Sequence, residues 1–120
     1  MADCPRFDIA AFNALLSAVG EGGGTLSLAS GEYPRIRAKG LWRAARMPWG
    51  TAAPADMRAV LAAVLGESAM RLVESFSGQS AVHTVEMPDG SAMRFQVSVR
   101  AVRSEGRIAF NMVAIQLGKA

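Results

Sequence analysis

Cysteine, histidine and long apolar runs are scarce in this chain of 120 residues, and each scarcity removes a class of function. The one cysteine, Cys4, and the one histidine, His83, stand far apart with no ligand-like cluster around either. Zinc sites draw largely on these two residue types, so no metal or other cofactor is expected. A lone cysteine forbids an internal disulfide and fits a reducing compartment. No window approaches the roughly 18 consecutive apolar residues that a membrane span needs. The opening Met1-Ala-Asp-Cys-Pro-Arg-Phe-Asp8 carries acids where a secretory signal has a basic and then an apolar region. The expectation is a cytoplasmic protein without a membrane span, forming a single domain over 1–120 that is long enough for one modest core.

Catalytic machinery is also missing. Phosphate-cradling loops of the nucleotide hydrolases need Gly-x-x-x-x-Gly-Lys-Ser/Thr, which does not occur. Gly20-Glu-Gly-Gly-Gly24 is glycine-rich but lacks the lysine and a preceding strand, and reads as a flexible link. His83 is the only imidazole that could serve a nucleophile. It shares a strand face with Val85 and Met87, as a histidine at a sheet edge would. Glu86, Asp89 and Glu105 sit in or beside turns, where acids are solvated. The chain is not expected to be an enzyme.

What is present is a strong β pattern at the C-terminal end. Val82–Met87 runs into Pro88-Asp89-Gly90, where proline presets φ and glycine accepts the positive φ that other residues avoid. Between Ala92 and Val102, Met93, Phe95, Val97 and Val99 alternate with Arg94, Gln96, Ser98 and Arg100. That period of two gives one apolar and one wet face. Ser104-Glu105-Gly106 is a second turn, and Ile108–Leu117 returns as a largely apolar strand that could form a sheet edge and pair with a second copy. Such a meander needs cover on its apolar face.

The remaining segments supply that cover. Phe7–Val19 reads as a helix with Asp8 as its N-cap, Phe7 and Phe12 as a hydrophobic staple, and Gly20 as its stop. Thr25–Leu28 and Tyr33–Gly40 read as strands, with Leu41–Arg43 a third short one and Met47–Gly50 a loop. A second helix starts at Pro54, carries Met57, Val60, Leu61, Val64 and Leu65 at helical spacing, and ends at Gly66. A third spans Glu67–Phe76 with Met70, Val73 and Phe76 on one stripe, closed by Gly78. Strands at both ends of the chain with helices between them argue for an α+β fold.

One charged feature stands out. Arg35, Arg37, Lys39, Arg43 and Arg46 place five of the thirteen basic residues within twelve positions, with Trp42 and Trp49 nearby. Alternation puts Arg35, Arg37 and Lys39 on one strand face. Phosphate neutralisation with aromatic stacking would make this a nucleic-acid surface. A net charge of only +3 argues against that and for a protein contact or an ordinary solvated face. Arg94, Arg100, Arg103 and Arg107 form a second basic set on the meander.

The stretch Leu26-Ser-Leu-Ala-Ser-Gly-Glu-Tyr-Pro-Arg-Ile-Arg-Ala-Lys-Gly40 resembles the N-terminal domain of PilT-like type IV pilus retraction ATPases, within the type II/type IV secretion ATPase group. The opening helix, the helix Met57–Leu65, the strand Arg94-Phe-Gln-Val-Ser-Val99 and the start Gly106-Arg-Ile108 follow the family's order. The resemblance implies a PAS-like α+β domain with an N-terminal helix, two central helices, a mixed or antiparallel sheet and a C-terminal three-stranded meander. It implies a module that docks on a pilus or secretion ATPase or on a platform component of the same assembly. Arg35, Arg37, Lys39, Trp42 and Arg43 would be its partner-binding surface. It also suggests nucleotide contacts for Arg94, Arg100 and Arg103. Thr25 and Ser27 stand where the family commonly has an Asp and a His, and Ser98 and Ala101 where it has an asparagine and an arginine. With no Walker A lysine, Walker B acid or histidine box, the chain is expected to occur without the family's ATPase domain. The other reading is a PAS-like sensor that holds a small ligand among Phe95, Met112 and Met70.

Overall fold

The structure, a computed structural model, describes residues 6–21 and 24–120. Cys4 and the linker glycines Gly22 and Gly23 lie outside the described residues. The elements run α1 (Ile9–Glu21), β1 (Thr25–Ala29), β2 (Arg35–Ala38), β3 (Leu41–Ala44), α2 (Pro54–Leu65), α3 (Glu67–Glu74), β4 (Gln79–Glu86), β5 (Ala92–Ser104) and β6 (Arg107–Lys119). This is the α+β order that the sequence predicts. The strands form one sheet in the order β3-β2-β1-β6-β5-β4, every pair antiparallel. No helix among the described residues is long and apolar enough to cross a membrane.

Local chemistry accounts for the boundaries. Asp8 Oδ1 accepts the N–H of Ala11 at 2.8 Å, which satisfies one free donor of the first helical turn. Phe7, just before that cap, meets Phe12 edge-on with ring centroids 6.1 Å apart, as the staple requires. Pro54 opens α2. Gly66, at φ 94°, ends α2 and lets α3 begin at once. Two hairpins close through two-residue loops, Lys39-Gly40 and Glu105-Gly106, with φ of 53° and 79° in the first and 52° and 75° in the second. Positive φ at both central positions is the turn geometry whose twist suits paired strands.

Several boundaries differ from expectation: β4 begins at Gln79 rather than Val82, and three residues near helix ends or links depart for physical reasons. Gly20 does not stop α1. It lies buried inside the helix, where an added Cβ would come within 3.1 Å of Met87 and Phe95 side-chain atoms. Its role is to let α1 approach the sheet closely. Gly24, expected to be a flexible link, is also buried, and a Cβ there would fall 2.3 Å from the Arg37 carbonyl oxygen. α3 ends at Glu74, so Phe76 leaves the helical stripe, turns to φ 64° and stays half-exposed.

All three helices cover one face of the sheet. Phe12 and Leu16 of α1, Met57 and Leu61 of α2, and Met70 and Val73 of α3 are buried with Leu26, Leu28, Phe95, Val97, Met112 and Ala114 of the strands. Phe95, Met70 and Met112, the residues a ligand sensor would place around its ligand, are thus part of the packed core. β6 lies between β1 and β5. The pairing of its edge with a second copy is therefore unavailable along Asn111–Ile115, where β1 is hydrogen-bonded on one side and β5 on the other. The edges of the sheet are β3 and β4.

Candidate functional site: the open face of the sheet

Cross-strand partners in an antiparallel pair point to the same face, so the register decides which residues share a surface. On the face without helices, one row reads Trp42, Arg37, Thr25, Ile115, Gln96 and Val82 from β3 to β4. The next reads Ala44, Arg35, Ser27, Val113, Ser98 and Ser80. Beyond it, Ala29, Asn111 and Arg100 are neighbours. Arg94 pairs with Thr84 toward the other end. The face therefore has an aliphatic strip along β6, a row of arginines on β2 and another on β5. Ile115 is 49% exposed and Val113 38%, so the strip is open to solvent.

A shallow groove of about 620 Å³ runs across one end of this face. Ser27, Ser80, Ser98, Arg100, Asn111 and Val113 line it, with Glu32 at its margin. Arg35, Arg37, Arg94 and Arg100 are all exposed, and none forms an ion pair among the described residues. The ion pairs lie elsewhere. Arg58 of α2 binds Glu67 and Glu74 of α3 at 3.0–3.2 Å, and Arg6 pairs with Asp56. Hydrogen bonds from Arg58 hold the Glu67 carboxyl below its ordinary range.

The residues that the sequence singles out are divided by the fold. Arg35, Arg37 and Trp42 come together on the open face. Lys39 does not join them, because it falls in the β2–β3 turn rather than on the strand. Arg43 pairs with Ile36 and so points to the opposite side. Trp49 turns away from the basic strand and packs its ring 4.9 Å from Phe7, which removes it from any stacking surface with Trp42. Arg46 lies over Tyr33 at 5.8 Å. Of the second set, Arg94 and Arg100 share the open face. Arg103 instead sits 5.1 Å over the Phe76 ring. His83, on the edge strand as expected, donates from Nε2 to Asn13 Oδ1 at 2.7 Å and lies beside Phe12. Burial pushes its pKa down.

Sequence reasoning missed Val113 and Ile115 as surface residues. Phe110, Met112 and Ala114 alternate with Asn111, Val113 and Ile115, so apolar side chains occur on both faces of β6 and periodicity alone cannot orient it. Only the pairing with β1 does.

With this arrangement in view, the sequence matches no family profile and no curated protein. Solved structures do match. The Legionella pneumophila ATPase DotB superposes with a TM-score of 0.82 at 16% identity, over 97% of this chain and 31% of that one. The fold is shared with DotB. The Yersinia pseudotuberculosis DotB gives a TM-score of 0.77 at 13% identity, over 97% and 32% of the two chains. The pilus retraction motor PilT, solved with bound ADP, gives 0.57 at 18% identity, over 83% and 27%. This chain spans about a third of the length of the DotB ATPases and about a quarter of the PilT motor it matches. The resemblance drawn from Leu26–Gly40 is thus met at the level of fold across nearly the whole chain.

Proposed function

We propose that this chain is a non-enzymatic interaction and regulatory module that docks on a type IV pilus or type II secretion motor ATPase, or on a related assembly. The observation that carries this reading is the superposition on a third of DotB over 97% of the chain. A fold that is one part of a larger motor is suited to contact the rest of such a motor. The open face supplies a surface for it. Arginine and tryptophan dominate interface energetics, and Arg35, Arg37 and Trp42 stand together and exposed on one side of the sheet. Lys39, in the β2–β3 turn, belongs to the margin of that contact and Arg94 and Arg100 extend it across the sheet, whereas Arg43 faces the other side and falls outside it. A role for Arg94, Arg100 and Arg103 in reaching a nucleotide held by the partner is the finer form of the same reading. It concerns Arg94 and Arg100 more than Arg103, whose guanidinium lies against Phe76. The working compartment would be the cytoplasm.

The test is direct binding to purified DotB-type and PilT-type ATPases, measured by calorimetry. The wild-type chain should bind one of them, and Arg37→Glu, an exposed change that leaves the core intact, should weaken binding by about tenfold. Binding to neither ATPase, or equal binding by a folded Arg37→Glu variant, overturns the reading.

A further inference from the structure

We infer that the open sheet face is a seat for an acidic amphipathic helix of a protein partner, laid along β1 and β6 between two rows of arginines. This rests on the reading of the chain as a docking module and names the chemistry of what docks.

The dimensions carry the argument. β2 and β5 are three strand steps apart, with β1 and β6 between them. At about 4.8 Å per step the two arginine rows stand roughly 14 Å apart. A helix with its side chains is about 10–12 Å across, so it fits between the rows and rests on the strands they flank. The floor it meets is Val113 and Ile115, with Thr25 and Ser27 beside them. Arg94 and Arg100 are six residues apart on β5, which spans about 20 Å, the length of a helix of about 13 residues. Apolar side chains on one stripe would cover the β6 strip. Carboxylates on the flanks would reach Arg35 and Arg37 on one side and Arg94 and Arg100 on the other.

Charge decides against the other occupants. A second copy on the same face would set the arginine rows of one chain against those of its mate, and like charges so placed disfavour association. The acids near this face stand at its margins, Glu86 at the end of β4 and Glu32 at the rim of the groove, and do not offset the rows. Single-stranded nucleic acid is held by aromatic platforms as well as by charge. The floor here is aliphatic, and Trp42 stands alone at the β3 edge.

The test uses the full chain labelled with 15N and a designed 14-residue helical peptide, with leucines along one stripe and glutamates on both flanks. The controls are its lysine-flanked copy and a single-stranded DNA 15-mer. Expected are amide shifts at Thr25–Ser27, Arg94–Arg100 and Val113–Ile115 with the glutamate peptide, weak or absent shifts with the lysine copy, and loss of roughly tenfold or more in affinity in Ile115→Glu and in the double variant Arg37→Glu/Arg94→Glu. All three positions are exposed, so the variants should keep the wild-type circular dichroism. Shifts confined to the helical layer, equal binding of the lysine copy, tighter binding of the DNA, or self-association abolished by Ile115→Glu would each overturn the proposal. If a motor ATPase binds the wild type and Ile115→Glu alike, the acidic-helix seat fails while the docking reading stands. If the peptide docks and no ATPase binds, the docking target fails while the seat stands.

Discussion

Phe76 occupies a position that ordinarily goes to glycine. After the last turn of α3, the N–H of Ser77 reaches the Leu72 carbonyl at 2.9 Å and that of Phe76 reaches the Val73 carbonyl at 2.9 Å. These two bonds are the paired closure of a helix end whose linking residue is left-handed. Here that residue is a phenylalanine at φ 64°, a conformation in which its Cβ crowds the following carbonyl. The ring is held by Arg103. Comparing Phe76→Gly with Phe76→Ala separates backbone from side chain, since both lose the ring contact. The glycine variant should be more stable than the alanine variant by about 1 kcal/mol in urea denaturation, the reverse of their order inside a helix. Equal stabilities would mean that the backbone is not strained there. A periodic stripe of Met70, Val73 and Phe76 could not reveal this, because the pattern continues past the point where the chain stops being helical. Asp8 behaves as its residue type predicts, and Asp8→Ala should cost about 1 kcal/mol through loss of the α1 cap.

Among the elements, α1 against β4 and α2 against α3 each hold a group with a lowered pKa, and acid weakens both contacts. His83 has a folded-state pKa below its ordinary 6.5, because burial disfavours the imidazolium. The unfolded chain therefore binds the proton first, and stability should fall as pH drops below about 6.5 and on through the folded-state pKa. Glu67 also has its pKa lowered, by hydrogen bonds and charge from Arg58. Its contribution is present above the ordinary value of 4.5 and is lost as pH falls through the lowered one. The two windows are distinct. Denaturation midpoints at pH 7.5 and pH 5.5 should differ in the wild type and converge in His83→Gln, while the further loss below pH 4.5 should shrink in Glu67→Gln. A wild type with equal midpoints at pH 7.5 and 5.5 would show that His83 is as solvated in the fold as in the unfolded chain. The helices themselves were legible in the sequence because caps, proline and apolar spacing are local signals. The Arg58 bridge was not, since nothing local says that α3 folds back beside α2.

At the scale of the whole molecule, one seam joins the two ends of the chain. Leu28 of β1 pairs with Met112 of β6, 84 positions later, while β5 and β6 are joined by a two-residue loop. The C-terminal meander was legible because its turns and alternation lie within a few residues of each other. The placement of β6 at the centre of the sheet was not. A strand apolar on both faces is compatible with an edge or a centre until its second partner is known, and that partner comes from the far end of the sequence. The open face and its arginine rows follow from the same seam, since only β1 brings Arg35 and Arg37 to the side that Arg94 and Arg100 share. Closing a long loop is costly in entropy and comes late, whereas a hairpin closes early. Leu28 and Val97 are both buried, so trimming either to alanine should destabilise the fold, by about 2–4 kcal/mol for the leucine. The kinetics should separate them. Val97→Ala, in the β5–β6 hairpin, should slow folding, whereas Leu28→Ala, at the seam, should mainly speed unfolding. Folding and unfolding rates measured across a urea series check this. If Leu28→Ala slows folding as strongly as Val97→Ala, the seam forms with the hairpin, and the sheet assembles around β6 in one step.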